Sequence, residues 1–198
     1  MRRIVGPVLP GLYLLTGFPG TGKLTVARAL AERIEAAGGQ TRVVDNHWIN
    51  NPIFGLVATD GVTPLPAGMW NRVGDVARAV FRTAEEITPR DWHLVFTAYL
   101  DGMNDTGWVP RLAEIAESRE SVLVPVRLLC DADENARRIV SPERARSLKS
   151  IDPNEPHRLA ADGPTYEPPH KHTMTLDVTT LTPDDAATRI LQHAAGLG

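Results

Sequence analysis

Residues 17 to 25 read Gly17-Phe18-Pro19-Gly20-Thr21-Gly22-Lys23-Leu24-Thr25. A backbone that must curl around phosphate groups needs glycine wherever a side chain would block close approach. Backbone N–H groups at a helix start, joined by one lysine, then hold the negative charge. Gly17 and Gly22 bracket Phe18, Pro19, Gly20 and Thr21, and Lys23 follows directly. That spacing fits a loop cradling nucleotide phosphates, with Lys23 reaching the β- and γ-phosphates. The strict pattern also demands Ser or Thr after the lysine, where its hydroxyl ligates Mg²⁺. Here that position is Leu24, which has no oxygen, and Thr25 stands one place further on, suited to an α-phosphate. The phosphate-gripping half is complete and the metal-holding half is altered. The expected ligands are ATP and Mg²⁺, although nothing in the loop separates ATP from GTP.

Elements on either side must position this loop. Leu12 to Thr16 is a short apolar run that reads as a buried strand. Val26, Leu30 and Ile34 recur at helical spacing until Gly38-Gly39, and Thr41 to Asp45 reads as a second strand. Strand, helix, strand is the unit that builds parallel sheets. Residues 47–68 are rich in turn formers, and a helix is expected from Met69 to about Ile87. His93 to Tyr99 is the third strand, Trp108 to Glu120 a helix, and Ser121 to Leu129 the fourth strand, with Pro125 counting against an inner position. Asp131 to Val140 is helical and Ser141 to Pro169 polar and proline-rich; His172 to Val178 gives the fifth strand, and Thr182-Pro183-Asp184-Asp185 opens the last helix. Site residues of open α/β sheets gather at the C-terminal ends of the strands. That rule singles out Asp45 after the second strand and Asp101 after the third.

The loop followed by Val26-Ala27-Arg28-Ala29-Leu30 resembles the small P-loop kinases related to nucleoside monophosphate kinases, shikimate kinase, gluconate kinase and chloramphenicol phosphotransferase. Leu176 to Ala187 is similar to their last strand and helix. The resemblance implies a three-layer α/β/α P-loop kinase-like fold with a five-stranded parallel sheet and a mobile lid. It further implies one domain over residues 1–198, an acceptor-binding insertion at about 46–90 and a lid at about 137–170. In such kinases an aspartate ending the second strand orients the acceptor hydroxyl or takes its proton, and Asp45 matches by position. Arginines of the lid close over the phosphates, and Arg137, Arg138, Arg144, Arg146 and Lys149 fall in that stretch, with Arg138 and Arg144 the leading candidates. Asp101 matches loosely an acid that holds Mg²⁺ through water. Lys23, Asp45, Arg138 and Arg144 are thus the expected catalytic set. Trp48, Phe54, Met69 and Trp70 lie where the acceptor lobe would be.

The resulting expectation is phosphoryl transfer from ATP to a hydroxyl of a small polar metabolite or antibiotic. A nucleoside monophosphate kinase would need acceptor-lobe arginines, for which Arg72, Arg78 and Arg82 are available. A nucleotide-dependent regulatory module with weak ATPase activity stays open because of Leu24. Composition agrees with a globular protein: 198 residues, 42% hydrophobic and 23% charged. The net charge of −3 argues against a nucleic-acid partner, and no apolar run is long enough to span a membrane. Cys130 stands alone, so no internal disulfide forms. With no export signal expected, since Pro7, Pro10 and Gly11 interrupt any apolar leader, a cytoplasmic location follows. The oligomeric state stays open, a homodimer included. His170 and His172, with Lys171 between, read as a solvated loop.

Overall fold

The computed structural model describes residues 10–57, 66–101, 107–142, 144 and 148–197. The expectations for residues 1–9 and 58–65, and for Gly102, Glu143 and Arg146, lie outside the described residues. Five strands appear: β1 (Gly11–Thr16), β2 (Thr41–Val44), β3 (His93–Ala98), β4 (Val122–Leu129) and β5 (Met174–Asp177). Between them run α1 (Lys23–Ala36), α2 (Asn46–Phe54), α3 (Met69–Glu86), α4 (Trp108–Ser118), α5 (Ala132–Ile139), α6 (Glu155–Asp162) and α7 (Pro183–Ala195). All neighbouring strands are parallel, in the order β2-β3-β1-β4-β5.

Alternation along the strands divides the core into two layers. Leu12, Leu14, Leu94 and Phe96 face one side, where α2, α3 and α4 pack with Phe81, Leu112 and Ile115. Tyr13, Leu15, Val95 and Val126 face the other, under α1 and α7 with Leu30 and Ile190. Every residue of β1 and β3 is buried, the pattern of inner strands covered on both faces. With β1 central, the loop after it opens at the middle of the sheet.

Pro125 occupies an inner strand after all, paired with Leu14 of β1. Its missing N–H faces the β5 side, one residue before the first β4–β5 pair, Val126 with Met174. The carbonyl a ladder donor at 125 would have used belongs to His172, and it accepts from His193 Nε2 at 2.9 Å. His172 Nδ1 in turn bonds the Leu123 carbonyl at 3.2 Å. These histidines take up carbonyls left unpaired where the β4–β5 ladder has not yet begun.

Two helices were not expected. Pro52 inside α2 disguised that helix among turn formers, and α6 lies in the polar stretch before Pro169. Arg119 at the end of α4 is 2% exposed and donates to the carbonyls of Ala84, Thr88, Pro89 and Trp92 at 2.7 to 3.0 Å. It thereby ties the end of α3 to the start of β3, which carries site residues at its far end. At the near end, buried His93 accepts the Gly11 N–H on Nδ1 at 3.0 Å.

Candidate active site

Between β1 and α1 the loop turns on three glycines at positive φ: Gly17 at 149°, Gly20 at 92° and Gly22 at 91°. A Cβ on Gly20 would lie 2.0 Å from Asn135 Oδ1, so the loop packs directly on α5 there. Thr21 is buried and its hydroxyl donates to the Phe18 carbonyl at 3.0 Å, drawing the loop into a tight curl. Gly22 begins α1 with no side-chain cap and no acid in the first turn. Its leading N–H groups are therefore left for an external anion. Lys23 Nζ donates to the carbonyls of Gly17 at 2.7 Å and Phe18 at 2.8 Å, across the mouth of the cradle.

The loop forms one wall of a cavity of about 1090 Å³, whose other walls come from the ends of β2 and β3, from α2 and α3, and from Ser141, Arg144, Leu148, Lys149, Ser150 and Glu155. Asp45 lies on it. As N-cap of α2 its Oδ1 accepts the His47 N–H at 3.4 Å and the Thr97 hydroxyl at 3.1 Å. Its Oδ2 pairs with Lys149 Nζ at 3.1 Å, with both side chains only 13% exposed. Burial raises the Asp45 pKa, but the Lys149 charge and hydrogen bond, helped by His47, outweigh it and hold the carboxyl below its ordinary value. Asp45 is thus both a cap and an ionised carboxylate in a confined site.

Lys23 responds oppositely. Burial disfavours its ammonium, the charges of Arg144 and Lys149 add to this, Asp45 and Glu155 oppose it, and its pKa falls to about 7. Arg144 donates to the Ser150 carbonyl at 2.9 and 3.1 Å, and burial lowers its pKa as well. Three cations, Lys23, Arg144 and Lys149, therefore meet the carboxylates of Asp45 and Glu155 in one cavity. Glu155 Oε2 is buried without a hydrogen-bond partner.

Of the expected residues, Pro19, Gly20, Gly22, Lys23, Leu24, Thr25, Asp45, Asp101, Arg138 and Arg144 all line this cavity. Arg138, expected to close over phosphates with the lid, is anchored beside the loop instead. Its guanidinium donates to Val178 and Thr179 carbonyls at 3.1 and 2.9 Å, reaches the Thr21 carbonyl at 3.5 Å and pairs with Glu134 at 2.6 Å. Phe54 and Trp70 reach the cavity edge to face, 5.8 Å apart. Met69 is core, and Trp48 is 61% exposed. Thr97 and Glu155 were missing from the expected set, and Lys149 was named only as one of the basic residues of the lid stretch. Of the two, only Thr97 left a usable signal, a hydroxyl near the end of the strand beside the one that leads to Asp45.

Leu24 lines the cavity without an oxygen, and among the described residues no three His, Cys, Asp or Glu side chains converge to hold a metal. The donor set fits Mg²⁺ only as an ion liganded mainly by phosphate oxygens and water, with a single carboxylate such as Asp101 behind it.

No protein-family model and no curated protein sequence matches the chain. Solved structures do. They include a candidate kinase from Chloroflexus aurantiacus, 18% identical over 96% of this chain and 99% of that one, with a TM-score of 0.63. Gluconokinase from Sinorhizobium meliloti is 18% identical over 96% and 94%, with a TM-score of 0.58. The APS kinase of Mycobacterium tuberculosis, in complex with AMPPNP and APS, is 14% identical over 93% and 98%, with a TM-score of 0.60. At such identities the likeness is one of fold: the chain has the P-loop kinase-like α/β fold with a five-stranded parallel sheet.

Proposed function

We propose that this protein is an ATP-dependent phosphotransferase that moves the γ-phosphoryl group to a hydroxyl of a small polar metabolite or antibiotic. The observation that carries the reading is the ionised, confined carboxylate of Asp45 sharing one cavity with the Lys23 cradle. Gly20, Gly22 and the first residues of α1 present backbone N–H groups to the phosphates, the Thr21 N–H being spent on the Phe18 carbonyl, and Thr25 offers a hydroxyl at the same helix start. Lys23 leaves the two loop carbonyls it now caps and binds β- and γ-oxygens. Arg144 gives up Ser150 to grip the γ-phosphoryl group, for which a planar fork is suited. Arg138 keeps the loop in shape through Thr21.

Asp45 accepts the proton of the acceptor hydroxyl. As it does so, that oxygen forms its bond to the γ-phosphorus and the bond from phosphorus to the β–γ bridging oxygen breaks, leaving ADP and a phosphate monoester. Thr97 holds the carboxylate in line, and Lys149 keeps it ionised until the acceptor arrives. Mg²⁺, when bound, would neutralise charge on the β- and γ-oxygens, and Asp101 is the residue proposed to sit behind its water shell.

The nucleoside monophosphate kinase alternative loses support. Arg72 and Arg78 pair with Asp75, Arg82 pairs with Glu86, all three are 70–75% exposed, and none of them lines the cavity. The test is a mixed panel of hydroxyl compounds and nucleoside monophosphates incubated with labelled ATP. A phosphate monoester formed on a hydroxyl compound is the expected product. Hydrolysis of ATP that no acceptor stimulates would favour the regulatory module instead.

A further inference from the structure

The cavity wall opposite the loop contains a glycine that the fold does not need. Gly74 lies mid-way along the 18-residue helix α3, where glycine weakens a helix relative to alanine. Its φ is not among the positive ones, so no special backbone conformation calls for glycine. A Cβ there would meet only Arg78 Nη1, at an ordinary 3.6 Å. Trp70, Val73 and Ala77 fall on the same stripe of α3, and all four residues line the cavity. Small side chains at 74 and 77 thus leave a slot below the edge of Trp70, with Phe54 set edge-on to that ring.

No lysine or arginine of α2 or α3 lines the cavity, and the Arg78 guanidinium that borders Gly74 is already paired with Asp75. The polar groups those helices contribute are amides, Asn46, Asn50 and Asn71, together with His47, which burial holds toward its neutral form. Amides serve hydroxyls, an indole edge and a bare helix surface serve a flat or alicyclic ring, and neither compensates a buried anion.

Resting on the phosphotransferase reading, we infer that the acceptor is an uncharged, ring-bearing alcohol whose ring fills the slot over Gly74. Its reacting hydroxyl points to Asp45, at the end of the cavity where Lys149 and Arg144 stand. An acceptor with a carboxylate or phosphate on the ring would bury that charge against the amide and aromatic wall.

Three probes test this on the full chain with AMPPNP bound: p-nitrophenyl glucoside, p-nitrophenyl glucuronide, in which a carboxylate replaces the hydroxymethyl group, and p-nitrophenyl xyloside, which lacks that group and should also bind more tightly than the glucuronide. Ligand-observed NMR should show the glucoside binding at least about tenfold more tightly than the glucuronide. Gly74→Leu should weaken the glucoside at least about tenfold and leave the ATP dissociation constant unchanged. Leucine is the better helix former, and an unchanged far-UV circular dichroism spectrum and melting curve verify the fold of the variant. Gly74→Ala should retain binding. The inference is overturned if the glucuronide binds as well as the glucoside, if neither binds, or if Gly74→Leu binds the glucoside like the parent. Failure of the underlying phosphotransferase reading looks different: the glucoside still competes for the slot in a Gly74-dependent way, yet no acceptor of any kind receives phosphate from ATP.

Discussion

The free cavity disfavours the ammonium of Lys23, and phosphates that arrive beside it favour the same ammonium. Nucleotide binding must then draw a proton from solution whenever the pH lies above the free pKa of about 7. The sign follows from the cause. Burial, with Arg144 and Lys149 adding their charges, lowers the free pKa, and a bound polyanion raises it again. ATP affinity therefore falls as pH rises, with a limiting slope of one proton. From pH 6.5 to 8 the protonated fraction of a group with a pKa of about 7 drops roughly eightfold, and the affinity for MgATP drops by the same factor. His47, held below its ordinary pKa by burial, contributes little in that window. Isothermal titration in two buffers of different ionisation enthalpy measures both quantities, and uptake should approach about 0.9 proton at pH 8. Equal affinity at pH 6.5 and 8, with no proton uptake, would refute the reasoning and mean that Lys23 stays charged in the empty cavity.

Three further outcomes follow from the packing. Arg119→Met should cost about 2–3 kcal/mol in urea unfolding, because the buried Ala84 carbonyl and three part-buried ones lose a charged donor; a loss under about 1 kcal/mol would show that water replaces it. His93 is held neutral by burial and accepts the Gly11 N–H, so its folded pKa lies below the unfolded value of 6.5. Stability should be whole above pH 6.5 and decline as pH falls below it, and His93→Gln should flatten that decline in acid titrations followed by circular dichroism. Gly20→Ala forces a Cβ onto buried Asn135 at a φ of 92°, so ATP binding should weaken at least about tenfold and the melting temperature should fall by several degrees.

Much of the frame was legible because parallel strands buried on both faces are written as unbroken apolar runs, as in Leu12–Thr16 and His93–Ala98. The loop was legible because its glycines and lysine are consecutive. Pro125 misled, since its effect depends on which neighbour its missing N–H faces, and only the register with β5 reveals that. Helix α2 was hidden by Asn50, Asn51 and Pro52, which favour turns locally but here follow an aspartate cap and bury Ile49 and Phe54. Asp45 was legible from its place at a strand end. Its pairing with Lys149, 104 positions away, was not, because contacts of that range leave no periodic trace. Arg138 shows the converse: a basic run reads alike whether its members close over a ligand or brace a loop.

The account turns on Asp45 as the group that couples a phosphate cradle to an acceptor. Asp45→Asn keeps the size of the side chain and removes its basicity. Measured side by side, the ATP dissociation constant should stay within about threefold, while acceptor-stimulated turnover should fall by about 10²–10⁴. Turnover within a few-fold of the parent protein would contradict the account and place the base elsewhere.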